Sequence, residues 1–169
     1  MDPRLRPVGW LYELNTRLVR RCLEDLSEAD AHYRPEGRGN TIAFLVAHLT
    51  DARHFAATIL GRPRDNPLSP TLDQARSIDD VRALPPLAEL LGYWNGVASH
   101  LAGCLDTADA ARLDGRVAHS FPIADRTALG GLAFLVQHES YHVGQIAYLR
   151  RLLGHPPMRY PAGDDAHGR

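Results

Sequence analysis

The sequence predicts an all-α protein, a four-helix bundle whose helices are joined by long crossover connections. In four separate stretches, apolar residues recur at the three- and four-residue spacing of an amphipathic helix. Polar segments rich in glycine and proline separate these stretches, and no alternating pattern is long enough to indicate a β-sheet. Helices of this kind, joined by long connections, are typical of crossover four-helix bundles.

The four predicted helices have recognisable ends. They run from Val8 to Leu26, from Asn40 to Leu60, from about Pro86 to Leu105 and from about Thr127 to Leu153. Asn40 is the expected N-cap of the second helix, and proline is acceptable in the first turn of the third. Gly61 and Gly154 follow the second and fourth helices, where glycine commonly ends a helix.

The connections are long for one compact unit. The connection before the third helix contains several prolines, and we expect a short helix there near Leu72 to Leu84. The connection before the fourth helix spans residues 107–125, and loops of this length often line a functional site. We expect residues 1–169 to form a single domain with an irregular, proline- and glycine-rich tail over residues 154–169.

The composition argues against several classes of partner. The chain has 20 acidic side chains and 19 basic ones, all arginine, so its net charge of −1 offers no general attraction for nucleic acid or an anionic membrane. Its first residues lack the apolar region of a signal peptide, and no stretch is long and apolar enough to span a membrane. Cys22 and Cys104 form no Cys-x-x-Cys pair. We therefore expect a cytoplasmic protein that binds neither nucleic acid nor membrane.

Three of the nine histidines occupy positions where a bundle helix usually carries apolar side chains. On the fourth helix, His138, His142 and Gln145 interrupt a heptad-like stripe of leucines, and on the second helix His48 interrupts a similar stripe. Each histidine alone is compatible with an ordinary core residue that is hydrogen-bonded to a backbone carbonyl. Together they need a common partner, because burying an unsatisfied polar group costs several kcal/mol.

A divalent metal ion is the partner that this spacing favours. His138 and His142 lie one helical turn apart, so both side chains can reach one ion at about 2.0–2.1 Å. His48 adds a third ligand from another helix, and three protein ligands leave a coordination position open, as in catalytic zinc sites. Imidazole suits zinc, nickel, iron and copper alike, so these residues do not identify the metal.

Other residues near these positions have weaker claims. His54 lies on another face of its helix and His100 lies on the third helix, whereas His119 and His155, in predicted loops, could close over the open metal position. We expect core positions for three aromatic residues, Trp10, Trp94 and Phe55. Further expectations are a close helix approach at Gly144, packing at Tyr141, and a solvated helix end or a carboxylate-binding site at Arg150 and Arg151.

The pattern His-Glu-x-x-His at residues 138–142 also occurs in zinc proteases, but the rest of the chain does not support that class. The metzincin form requires a third histidine where this chain has Tyr148, and the gluzincin form requires a later glutamate, whereas Glu139 is the last one. Two roles stay open for Glu139. It either orients a ligand or a bound water, or it is a solvated residue beside the helix stripe.

The chain resembles the DinB family, also described as DinB/YfiT-like metalloenzymes. The resemblance is carried by NTIAFLVAHLTDARHF, which contains His48, and by HESYHVGQIAYLRRLLG, which contains the pattern His-x-x-x-His-x-Gly-Gln-Ile. It covers nearly the whole chain and implies a four-helix bundle that holds a divalent metal, commonly zinc or nickel, on His48, His138 and His142. It also implies that the protein can form a homodimer, as many members of the family do.

The resemblance further implies a reaction, because relatives include transferases that use bacillithiol, mycothiol or glutathione. We expect a metal-dependent transferase that joins a low-molecular-weight thiol to an electrophilic small molecule. Gln145 is then placed to bond a metal ligand or the substrate, and its alternative role is to bond a buried carbonyl. One alternative is a hydrolase in which metal-bound water is activated and Glu139 acts as the base. Another is a bundle that binds metal without catalysis.

Overall fold

A computed structural model describes residues 1–160, in which the chain forms seven α-helices. They are α1 (Arg6–Leu23), α2 (Glu28–His32), α3 (Ile42–Ile59), α4 (Ser69–Leu72), α5 (Leu87–Thr107), α6 (Ala110–Asp114) and α7 (Ala128–Leu152). Three single 3-10 turns occur at Pro3–Leu5, Pro35–Gly37 and Ile78–Asp80. No β-strand lies within residues 1–160, so the predicted all-α class is confirmed. None of these helices is both long and apolar enough to cross a bilayer.

The four long helices pack in a ring. Helix α3 contacts α5 and α7, and α1 completes the ring by packing against the same two helices. Buried apolar side chains form two clusters, one around Leu45, Trp94 and Ile146 and the other around Leu101 and Leu132. The fold therefore has two apolar halves that are stacked along the bundle axis.

A buried polar layer lies between the two apolar clusters. Arg53 of α3 donates from Nε and Nη2 to the two carboxylate oxygens of Glu139 on α7, each at 2.7 Å, and both side chains are 1% exposed. The same guanidinium donates to the hydroxyl of Thr16 and the carbonyl of Tyr12, and it lies 3.8 Å from the centre of the Trp94 ring. The charge is thus compensated on several sides, as a buried charge must be.

The predicted helix boundaries need corrections at the start of the chain. Helix α1 ends at Leu23 because Asp25 adopts a left-handed backbone conformation, with φ 60°. A capping box between Ser27 and Asp30 then starts α2, which the sequence analysis placed in a loop. The N-cap of α3 is Thr41 rather than Asn40, because the Thr41 hydroxyl accepts the hydrogen bond from the backbone N–H three residues later.

The connection between α3 and α5 also differs from its prediction. A helix over residues 72–84 is wrong, because the helical turn ends at Leu72 and only the 3-10 turn Ile78–Asp80 follows. Pro70 in the first turn of α4 favours this earlier start. The glycine stops are confirmed, since Gly61 and Gly154 follow α3 and α7 with φ values of 74° and 87°.

Several side chains also lie elsewhere than expected. Trp94 is fully buried as predicted, whereas Trp10 is 67% exposed and is not a core residue. Arg150 is 5% exposed and donates to the carbonyls of Cys22 and Pro156, so it is not part of a solvated helix end. Residues 155–160 have no regular secondary structure, and residues 161–169 of the predicted tail, with His167, lie outside the described residues.

Candidate metal centre

Helices α3 and α7 bring the three predicted histidines together. Nε2 of His138 lies 3.2 Å from Nε2 of His48 and 3.0 Å from Nε2 of His142. One ring nitrogen from each residue lies within 4.8 Å of the other two. All three side chains are half-buried, in contrast to the fully buried Arg53 and Glu139 on the same two helices. The histidines therefore form a partly accessible cluster, not the fully interior one that the helix stripes suggested.

The spacing of the three Nε2 atoms fits a metal ion. An ion held by imidazoles at about 2.0–2.1 Å in tetrahedral geometry places neighbouring nitrogens about 3.3 Å apart. The observed separations of 3.2 and 3.0 Å are close to that value. Within residues 1–160, no further His, Cys, Asp or Glu joins this cluster, so the described residues offer three candidate ligands, and a tetrahedral ion held by them would have one position for an exogenous ligand.

Burial disfavours the charged form of two of the three histidines. Burial, together with the neighbouring His138 and His142, lowers the pKa of His48 to about 4. Burial and His142 also lower the pKa of His138. Since a metal binds only the deprotonated imidazole nitrogen, little or no proton release is needed at His48 and His138 near neutral pH.

Gln145 fixes the orientation of one ligand. Its side-chain oxygen Oε1 accepts a hydrogen bond of 2.6 Å from Nδ1 of His142. Because an amide oxygen can only accept, Nδ1 carries the proton and the lone pair of Nε2 faces the cluster. Partners of this kind set the tautomer and the basicity of metal-binding histidines. Gln145 thus makes one of the contacts expected from the sequence, the hydrogen bond to a predicted metal ligand.

Glu139 does not join the three histidines. Both of its oxygens accept from Arg53, and the side chain is 1% exposed, so its placement as a solvated residue is wrong. Burial raises the pKa of Glu139, and the charge and hydrogen bonds of Arg53 oppose that shift. Its expected role as a base or as a group that orients water stays a prediction, and this geometry does not favour it.

Three aromatic rings flank the histidine cluster, and two of them, Phe44 and Phe134, were not singled out from the sequence. Phe44 is stacked on His48 with ring centres 6.2 Å apart, and Phe134 is stacked on His138 at 6.1 Å. Tyr141 provides a third ring, 5.1 Å from the ring of the last histidine. In the two stacked pairs a phenylalanine precedes its histidine by four residues, a spacing that was readable in the sequence. These rings give the cluster apolar walls.

The other described histidines contact different groups. His54 is buried outside the cluster, and His100 bonds the carbonyl of Arg62. His119 packs against the rings of Phe55 and Phe121. His155 lies 3.3 Å from a carboxylate oxygen of Asp30. Neither His119 nor His155 therefore closes over the open position.

A cavity of about 660 Å³ lies next to the histidine cluster. Helix α7 lines it with Tyr141, Gly144, Gln145 and Tyr148, and the segment before α3 contributes Arg38. A Cβ atom added at Gly144 would meet no atom within 4 Å, so this glycine does not serve a close helix approach as predicted. It opens onto the cavity, and Gln145 belongs both to the cavity wall and to the hydrogen bond with His142.

Comparison with known proteins identifies the family of the chain. No curated protein matches the chain. A sequence model of the DinB superfamily matches residues 11–146, which span most of α1 and α7 and include His48, His138 and His142. The match covers well over half of the chain, which therefore belongs to the DinB superfamily.

Proposed function

We propose that the protein is a metal-dependent transferase that joins a low-molecular-weight thiol to an electrophilic small molecule. The observation that carries the proposal is the convergence of the Nε2 atoms of His48, His138 and His142, with no fourth protein ligand among residues 1–160. Imidazole ligands do not identify the metal, and the resemblance to the DinB family is the reason that we expect zinc or nickel. The aromatic walls and the adjacent cavity provide room for two small substrates.

The chemistry requires a thiolate close to its electrophile. When bound, a divalent cation lowers the pKa of a thiol so that it is present as the thiolate, the form that attacks. A carbon–sulfur bond forms as the carbon–halogen bond of a halide substrate breaks. The thiol proton passes to solvent, and the halide ion leaves with the bonding electron pair.

The side chains of the chain itself prepare this reaction. Gln145 keeps His142 in the tautomer whose Nε2 faces the cluster. Phe44 and Phe134 cover one face of His48 and of His138, respectively, and thereby reduce the access of water to the reacting groups. An apolar surrounding of this kind favours an electrophile with an apolar body.

The structure gives less support to the hydrolase alternative. Its general base would be Glu139, whose two carboxylate oxygens are already bonded to Arg53. A carboxylate whose two oxygens are both bonded to Arg53 has no free oxygen to accept a proton from a water at the histidines. We therefore prefer the transferase, which needs no base at position 139.

The test is a conjugation assay. The protein is loaded with zinc or nickel and mixed with a chlorodinitrobenzene and with bacillithiol, mycothiol or glutathione in turn. We expect conjugation with at least one thiol above the uncatalysed rate and its loss in His138→Ala. The matched control is His119→Ala, because His119 is exposed and lies outside the cluster, and this variant should stay active.

The other outcomes separate the alternatives. Absence of turnover with all three thiols would contradict the transferase proposal. Turnover of an ester without any thiol, lost in Glu139→Gln, would support the hydrolase. A protein that chelators destabilise but that catalyses neither reaction would support a metal-binding bundle without catalysis. Homodimerisation also stays a prediction, which sedimentation measurements of the purified protein can check.

A further inference from the structure

The cavity beside Gln145 is lined by hydrogen-bond donors and by one unpaired cation. Arg38 is exposed, and within residues 1–160 its guanidinium has no hydrogen-bond or ion-pair partner. Asn40, Tyr141 and Tyr148, whose side chains carry an amide and two hydroxyl groups, line the same cavity. No aspartate or glutamate is among the residues that line the cavity within the described part of the chain. The lining thus carries a net positive charge.

The remaining walls are apolar and open. Leu45 and Leu149 are buried side chains at the cavity wall, and two exposed tyrosines also line it. Gly144 leaves space where any other residue would project a side chain, since nothing lies within 4 Å of its ideal Cβ position. Glycine inside a helix lowers stability by about 1 kcal/mol relative to alanine. The open space at Gly144 therefore comes with a loss of helix stability. Glycine is used in this way where a ligand approaches the backbone closely.

We infer that this cavity binds the carboxylate and the apolar body of a small organic acid, with Arg38 as the cation that pairs with the carboxylate. Guanidinium and carboxylate groups form the strongest charge-assisted hydrogen bonds among side chains, often through two parallel bonds. The tyrosine rings and the leucines contact the apolar body, and Gly144 provides the room for it.

The cavity adjoins the candidate metal centre through two residues of α7. Gln145 lies on its wall and bonds His142, and Tyr141 lies on the same wall with its ring 5.1 Å from the ring of His142. A molecule that is held between Arg38 and these two residues therefore lies beside the ring of His142. Resting on the proposed function, the inference names the substrate class: the thiol carries a carboxylate at the end opposite to its sulfur.

The experiment measures binding without any thiol, so that it does not depend on the transferase activity. Isothermal titration calorimetry compares 3-phenylpropionate with 3-phenylpropanol on the metal-loaded protein. We expect the carboxylate to bind at least about tenfold more tightly than the alcohol, and Arg38→Gln to abolish this difference. Arg17→Gln is the matched control, because Arg17 lies on α1, outside this cavity.

A second pair of variants tests the location. Gly144→Phe fills the cavity and should abolish the binding of both probes. Gly103→Phe is its control, since Gly103 of α5 is also exposed with nothing within 4 Å of its Cβ position but does not line the cavity. Equal affinity for acid and alcohol would overturn the inference. So would a carboxylate preference that survives Arg38→Gln, which indicates direct binding to the metal, or binding that survives Gly144→Phe.

A third comparison tests whether the cavity binds the thiol substrate of the proposed reaction. In the conjugation assay, 3-mercaptopropionate should have a KM at least about tenfold lower than that of 3-mercaptopropanol, and Arg38→Gln should remove that difference. If neither thiol reacts while the Arg38-dependent binding of 3-phenylpropionate persists, the transferase proposal fails and the carboxylate site stands. If both thiols react with equal KM values, the transferase stands and the carboxylate site fails as a substrate site.

Discussion

Arg53 and Glu139 form a buried, two-bonded ion pair that joins α3 to α7 and lies between the two apolar clusters. Arg53 follows His48 by five residues and Glu139 directly follows His138, so the pair lies beside two of the three clustered histidines along the chain. We interpret the pair as a device that fixes the register of the two helices and hence the approach of their histidines.

Glu139→Ala should therefore strongly destabilise the protein. Removing the carboxylate leaves the Arg53 charge buried without its partner, a change that typically costs about 3–5 kcal/mol. Replacing both residues with apolar ones, in an Arg53→Met and Glu139→Leu double variant, should cost less than the single change, because no charge stays buried. Urea denaturation of the three proteins measures this. A double variant less stable than Glu139→Ala would contradict the interpretation.

The helices and the three metal-binding candidates were predictable because their signals are local. Helical periodicity repeats within each segment, and His48, His138 and His142 stand out on stripes that are otherwise apolar. The ends were harder to predict where neighbouring residues are equally good caps. Asn40 and Thr41 both suit an N-cap, and only the hydrogen bond from the backbone of Phe44 distinguishes them.

The features that were missed depend on contacts between distant parts of the chain. No pattern near Glu139 in the sequence indicates its partner Arg53, which is 86 residues away. The sequence therefore could not show whether the Glu139 side chain is solvated or buried. Likewise, the cavity forms because the segment around Arg38 lies against α7, a contact that no periodicity encodes. The Phe-x-x-x-His spacing at Phe44 and Phe134 was visible but has too many structural explanations to indicate a site.

Loss of one histidine should remove the metal. Purified protein should contain about one divalent ion per chain, and His48→Ala should contain close to none, because two imidazoles on one helix turn are weak ligands without a third. Chelation should lower the unfolding temperature of the unmodified protein and leave that of His48→Ala unchanged, since a ligand that binds only the folded state stabilises it. Elemental analysis and thermal scans measure both effects. His32→Ala, at an exposed position on α2, serves as the control and should keep its metal.

Gln145→Leu should weaken metal binding without unfolding the protein. The variant loses the hydrogen bond to Nδ1 of His142, and loss of such a partner typically lowers metal affinity by about 10- to 100-fold. Competition with a chromogenic chelator gives the affinity. Gln137→Leu is the control on the same helix, because Gln137 is exposed and has no contact with the cluster. Equal losses of affinity in the two variants would show that the hydrogen bond has no specific effect.

Replacing each of two glycines of α7 with alanine should change the stability of the protein in opposite directions. Gly144→Ala should stabilise the protein by about 1 kcal/mol, because alanine favours the helix and its methyl group enters open space. Gly131→Ala should destabilise it by about 1–3 kcal/mol, because the new Cβ would lie 2.7 Å from Cε2 of Phe121. Denaturant unfolding of both variants gives the two signs. If Gly131→Ala stabilised the protein, or if Gly144→Ala destabilised it, the packing that is described for this helix would be contradicted.

Two adjacent arginines at the end of α7 should differ sharply in their contribution to stability. Arg150 is 5% exposed, and its guanidinium donates to the carbonyls of Cys22 at 3.2 Å and Pro156 at 2.9 Å, as well as to that of Glu24. Arg150→Met leaves these carbonyls without their charged donor and should cost about 2–3 kcal/mol.

Arg151→Met is the matched control, because Arg151 is exposed and, among residues 1–160, donates only to the carbonyl of His155. Its loss should therefore cost no more than about 0.5 kcal/mol. Urea denaturation followed by circular dichroism gives both free energies of unfolding. Because Arg150 joins the end of α1 to the segment after α7, its removal should also make residues 155–160 more sensitive to proteolysis. Equal stability of the two variants would mean that these carbonyls are satisfied by water, and that Arg150 does not fasten the two ends of the bundle.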